Sequence, residues 1–118
     1  MTIAEKQVKK AVVAAGCAIE RRGFSRHHLI DRIFIGTDDG TFSAVSREIS
    51  QGGMSAATLG DLTVGQAVSL GPIVGERINA VVRRNQRTAF GFEFIDLPAA
   101  ISEQIKTLCE TLPLSSRR

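Results

Sequence analysis

Tryptophan and tyrosine are absent, and six phenylalanines are the only aromatic residues among the 118 of the chain. Proteins that grip single-stranded nucleic acid stack its bases on aromatic faces, so a nucleic-acid partner is not expected. Cysteine is scarce too. Cys17 and Cys109 lie far apart with no leader-like segment before them, which excludes a disulfide framework and makes a reduced, cytoplasmic setting the expectation. Long apolar runs are also missing. The most apolar N-terminal stretch, Ala11 to Ile19, is broken by Gly16 and falls well short of the roughly 20 residues of a membrane-spanning helix, so no membrane insertion is expected. Neither sign of charge dominates: 15 basic against 12 acidic residues leave a net +3, which fits a small anionic ligand or an acidic partner better than a long duplex.

Several chemistries lack their residues. No phosphate loop of the G-x-x-x-x-G-K type and no G-x-S-x-G elbow occurs, and only His27 and His28 are available to serve a nucleophile. Adjacent residues on a strand point to opposite faces, so the His27–His28 pair makes a poor metal site, and the two are read as structural or solvated. Asp38-Asp39-Gly40 is turn chemistry rather than a calcium loop. The chain is therefore read as non-catalytic, with no metal and no cofactor.

What remains is enough to fold. Apolar residues form 43% of the chain and charged residues 23%, within the range of an ordinary globular domain. Val8, Val12, Ala15 and Ile19 recur at steps of four, three and four, which predicts an amphipathic helix over residues 4–20. From Leu29 the period becomes two. Ile33 and Ile35 alternate with Arg32 and Phe34, Thr37-Asp38-Asp39-Gly40 supplies a turn, and Thr41 to Ile49 resumes the extended pattern. Further strands are expected at 53–58, 66–71, 76–84 and 88–95, separated by Gly60-Asp61, Gly71-Pro72 and Asn85-Gln86. Six short strands with regular turn signals predict a mostly β fold, a six-stranded antiparallel barrel that closes its own edges. Pro98 opens a second helix with Ile101, Ile105, Leu108 and Leu112 on one face, with Asp96 as its expected cap and Pro113 as its end. The expected organisation is an N-terminal helical extension (1–20), a barrel domain with its C-terminal helix (21–112) and a loose basic tail (113–118).

Two short pieces carry the functional signal. Arg21-Arg22-Gly23-Phe24-Ser25-Arg26 presents guanidinium groups on a segment that Gly23 loosens, and Glu48-Ile49-Ser50-Gln51-Gly52-Gly53 presents a carboxylate, a hydroxyl and bare backbone at a strand end. Guanidinium is planar, permanently charged and able to donate two parallel hydrogen bonds, which matches a phosphate as well as the O6/N7 edge of guanine. Glu48 can accept from guanine N1–H and N2–H, Ser50 can donate or accept, and Gly52-Gly53 admits close backbone approach.

The order of Arg22-x-x-x-Arg26 preceded by Arg21, a strand pair, Glu48-x-Ser50-x-x-Gly53, three more strands and Gly91-Phe92-Glu93-Phe94-Ile95-Asp96 before a helix resembles the PilZ domain over roughly residues 20–110. The resemblance implies a bacterial receptor for cyclic di-GMP that relays its signal to a protein partner controlling motility, adhesion or matrix production. It implies ligand contacts at Arg21, Arg22, Arg26, Glu48, Ser50 and Gly53. Arg83 stands where the family can carry an aromatic residue that stacks on a ligand base, and a guanidinium plane can substitute. The family pattern has Asp or Asn where this chain has Glu48. The extra methylene predicts a weakened site, and it is the best argument for the alternative, a PilZ-like interaction module that has lost or weakened nucleotide binding.

Overall fold

Alternation of apolar and polar side chains sets the barrel. The protein was analysed as a computed structural model, which describes residues 24–87 and 89–115; the helix expected at 4–20, together with Arg21 and Arg22, lies outside the described residues. In chain order the elements are β1 (His27–His28), β2 (Arg32–Thr37), β3 (Gly40–Ile49), β4 (Gly53–Ala57), β5 (Ala67–Ile73), β6 (Glu76–Gln86), β7 (Ala89–Phe94) and α1 (Ala99–Thr111). All pairings are antiparallel in the order β1-β3-β2-β5-β6-β7-β4, and β4 returns to pair with β3. Six strands thus close on themselves, as expected, and β1 continues the line of β2 alongside β3. Closure satisfies the ladder groups that an open sheet would leave at its edges.

The inward residues are those of the period-two pattern. Ile33 and Ile35 of β2, Met54 and Ala56 of β4, and Phe90, Phe92 and Phe94 of β7 are all buried in one cluster with Ile105 and Cys109 of α1. Each large apolar side chain placed there stabilises the fold by about 1.5–3 kcal/mol relative to exposure. Helix α1 lays Ile105 and Cys109 into this core, with Ile101, Leu108 and Leu112 packed at its margin. Burial of Cys109, with the Glu110 carboxylate nearby, raises the thiol above its ordinary value of 9.0.

Between β1 and β2, at Leu29–Asp31, one hydroxyl joins the backbone bonds from Leu29 N–H to Arg47 O (3.1 Å) and from Ser46 N–H to Asp31 O (2.8 Å). Ser46 is fully buried; its Oγ donates to Leu29 O (2.6 Å) and accepts from the Asp31 N–H (3.0 Å).

Four expectations need correction. Gly71-Pro72 does not separate strands: it lies inside β5 at a register shift, where a Cβ on Gly71 would sit 2.9 Å from Glu76 O, and the hairpin is turned by Val74 and Gly75, both at positive φ (45° and 76°). That is the backbone of a type I′ turn, but valine is a poor advertisement for it. Asn85-Gln86 likewise stays in strand, paired with Phe90 and Ala89, and Arg87 at φ 60° begins the turn. Asp96 does not cap α1. It takes a positive φ (51°) two residues before the N-cap Pro98, and no side chain caps the helix. The tail expected to be loose from residue 113 is instead paired through Ser115: His28 N–H donates to Pro113 O (2.9 Å) and Ser115 N–H to Arg26 O (2.9 Å).

Candidate functional site

An irregularity in β3 puts Glu48 on the barrel's outer surface. Ala44 and Ser46 face inward, so a regular strand would turn residue 48 inward as well. The register against β4 shifts between Ser46, opposite Ala56, and Glu48, opposite Ser55. Arg47 is the extra residue of a bulge, Glu48 swings outward and Ile49 resumes the core face. A second shift in β6, between Val82 opposite Phe92 and Arg84 opposite Gly91, does the same for Arg84. Because Ser55 pairs with Gly91, the row Glu48–Ser55–Gly91–Arg84 runs across four neighbouring strands on one outer face. At a ladder spacing of about 4.8 Å its ends are ~14 Å apart.

The two motifs meet. The Arg26 Nη1 lies 4.0 Å from Glu48 Oε1, with about half of the arginine side chain and a quarter of the glutamate side chain exposed. One turn away, the Phe24 ring covers Gly52 so closely that a Cβ there would stand 3.1 Å from it. The segment following Arg21 and Arg22 therefore lies over the corner formed by residues 48–53. Glu48 has a further partner that neither motif supplies, the Ser115 hydroxyl, which donates to Oε2.

Ser50 and Gly53 hold this corner in shape. Ser50 N–H donates to Gly53 O (2.8 Å), its Oγ accepts from the Gly52 N–H (3.3 Å), and Phe94 N–H donates to Gly52 O (3.0 Å). A Cβ on Gly53 would run into Phe92 O, so this position is bare because β7 passes against it. The expectation that Gly52 and Gly53 offer open backbone is thus corrected: a phenylalanine ring fills one and a neighbouring strand the other.

Arg83 is on the same side of the barrel. Its Nε donates to Glu93 Oε1 at 2.6 Å, and Glu93 is paired with Gly53 on β4. Both partners are more than a third exposed, so the pair contributes no more than about 1 kcal/mol to stability. The structure therefore adds Ser55 and Arg84 of the row, and Glu93 and Ser115 beside it, to the residues singled out in the sequence. Ser55 and Arg84 become visible only once the bulges are placed, and Ser115 only through a contact spanning 67 residues.

Other groups do structural work. The His27 ring Nδ1 bonds Leu112 O (3.1 Å), fastening β1 to the end of α1. Among the described residues no three His, Cys, Asp or Glu side chains gather to hold a metal, and no helix is long and apolar enough to cross a membrane. A shallow depression of about 510 Å³ lies elsewhere on the barrel, lined by Gly36, Asp38, Ser69, Arg77 and Asn79, and contains no residue of the arginine segment or of Glu48–Gly53. The motif corner outweighs it because two independent sequence signals converge there, whereas Arg77 is already engaged by Ser69 Oγ at 2.9 Å.

Comparison with solved structures finds the same fold in PilZ domains. The PilZ domain of YcgR from Escherichia coli, solved with c-di-GMP, superposes with a TM-score of 0.61 at 17% identity, covering 78% of this chain and 91% of that one. The PilZ domain of CeSA from a cellulose-synthesizing bacterium gives 0.57 at 16% identity, covering 73% and 95%. The Bacillus subtilis inhibitor of motility (MotI/DgrA) gives 0.62 at 21% identity, covering 77% of this chain and half of the other. At these identities the likeness is one of fold. No curated protein sequence matches the chain. The family described as the PilZ domain matches residues 20–111, and by that match the chain belongs to the PilZ domain family.

Proposed function

We propose that this protein is a non-catalytic receptor for cyclic di-GMP. The observation that carries the reading is the convergence of Arg26 and Glu48, 4.0 Å apart, one from each motif. Arg26, with Arg21 and Arg22, supplies the charge for two phosphodiesters that stay anionic at any physiological pH. Glu48 accepts from the N1–H and N2–H of a guanine, Ser50 and Gly53 keep that carboxylate's strand end in shape, and Arg83 and Arg84 offer guanidinium planes to the second base. The arginine segment is the moving part: Phe24 and Arg26 already lie over the corner, and docking tightens the segment onto the ligand. The solved YcgR domain named with c-di-GMP supports this choice of ligand. A change at that segment is the signal passed to a protein partner, in the cytoplasm, that controls motility, adhesion or matrix production.

Calorimetric titration with cyclic di-GMP tests the reading. Contacts to charged groups contribute about 1.5–3 kcal/mol, so Arg26→Ala lowers affinity at least tenfold. Unchanged binding by Arg26→Ala and Arg22→Ala overturns the assignment.

A second reading is an interaction module without nucleotide binding, favoured by one observation: the Glu48 carboxylate already has Ser115 and Arg26 as partners. Glu48→Asp separates the two. Shortening the side chain tightens nucleotide binding in a receptor and changes nothing in a module that has abandoned the ligand.

A further inference from the structure

The C-terminal strap competes for the carboxylate on which a guanine would sit. Residues 112–115 run antiparallel to β1 along the edge not used by β3. Leu112 O meets the His27 ring (3.1 Å), Pro113 O accepts from His28 N–H, Leu114 bridges His27, and Ser115 N–H donates to Arg26 O. At its end the Ser115 hydroxyl donates to Glu48 Oε2, while Oε1 faces Arg26. Guanine presents N1–H and N2–H side by side, a pair that the two oxygens of one carboxylate accept best together. With Ser115 in place, one of those oxygens already accepts a hydrogen bond and the Ser115 side chain stands against it.

The strap is built to come off at small cost. Its near end is fixed, because α1 is anchored by the buried Ile105 and Cys109. Beyond that anchor the hold consists of a few hydrogen bonds. Leu114, the large apolar side chain beyond Leu112, is 63% exposed, so opening from Pro113 onward sacrifices little buried surface.

We infer that Pro113–Ser115 is an internal competitor of the nucleotide, Ser115 standing in for the guanine donor on Glu48, so that ligand entry and strap closure exclude each other. The inference rests on the receptor reading. Apparent affinity is then the intrinsic affinity multiplied by the fraction of molecules with the strap open. By reciprocity, bound nucleotide holds the strap off and bares the edge of β1 at Arg26 O and His28 N–H.

The test compares the full-length parent with Ser115→Ala, which deletes the hydroxyl, and Ser115→Pro, which also deletes the N–H bonded to Arg26. Cyclic di-GMP is titrated into each by calorimetry, and the exchange rate of the His28 amide is followed in the parent with and without saturating nucleotide. Expected are about three- to tenfold tighter binding by Ser115→Ala, at least as much by Ser115→Pro, and faster His28 exchange in the complex. Equal affinity in all three chains, with His28 equally protected in the complex, overturns the competitor and leaves the receptor reading standing. No binding by any of the three overturns both, since freeing the carboxylate then uncovers no site.

Discussion

Glu48 and Arg84 face the same way across three strand boundaries, and neither would do so if its own strand were regular. One extra residue in β3 and one in β6 turn both outward at the same end of the barrel, onto a row completed by Ser55 and Gly91. Charged side chains that the plain alternation would bury are thereby delivered to one surface. If that row is the ligand's bed, Arg84→Ala weakens cyclic di-GMP binding about three- to tenfold while the melting temperature stays within a few degrees. Calorimetry beside a thermal melt checks both halves.

Gly53 shows how a motif residue acts through the fold. A methyl group there meets Phe92 O, so Gly53→Ala pushes β4 off β7 and costs about 1–3 kcal/mol. For a domain of this size that lowers the melting temperature by roughly 4–20 °C. A melt unchanged by the substitution shows that the strands have room to separate. Any loss of nucleotide binding in this variant is then read against its stability.

The Arg83–Glu93 pair decides whether Arg83 is available to a ligand. Glu93→Gln removes the charge that holds the guanidinium at 2.6 Å. Stability should change by less than about 1 kcal/mol, because both groups are partly exposed. Affinity for cyclic di-GMP should rise a fewfold if Arg83 stacks on a base, and Arg83→Ala should lower it by a similar factor. Equal titrations for both variants remove Arg83 from the site.

Cys109 gives a pH dependence with a defined sign. Burial raises its thiol above 9.0 in the folded protein, so the unfolded chain loses that proton first. The contribution is full below pH 9 and declines as pH climbs through the folded value. Cys109→Ala should cost about 1 kcal/mol at neutral pH and flatten the decline in alkaline solution. Denaturant melts at pH 7 and at about pH 10 measure the difference, with no tyrosine in the chain to titrate beside the thiol.

Strand identity was legible wherever side chains alternate without interruption, as in Ile33/Ile35, Met54/Ala56 and Phe90/Phe92/Phe94. The C-terminal helix was legible from Ile101, Ile105 and Leu108 for the same reason. Alternation stops being informative at a bulge, because one inserted residue reverses the facing of all that follow; Arg47 and Arg83 carry no local mark of that role. Val74–Gly75 gives no turn signal because valine rarely adopts positive φ, while the stronger signal of Gly71-Pro72 lies three residues upstream inside a strand. In the site, motif order singles out Arg26 and Glu48, and the structure places them 4.0 Å apart. The hold of Ser115 on Glu48 joins residues 67 apart, a closure that local spacing does not encode.

Ser46 has a mechanical consequence. Where β1 passes into β2, its hydroxyl bridges Leu29 O and the Asp31 N–H, while the bonds from Leu29 N–H to Arg47 O (3.1 Å) and from Ser46 N–H to Asp31 O (2.8 Å) keep the backbone ladder on either side. Removing that hydroxyl would leave Leu29 O and the Asp31 N–H without this partner, so the join between the two strands is where a change in a single side chain is felt first.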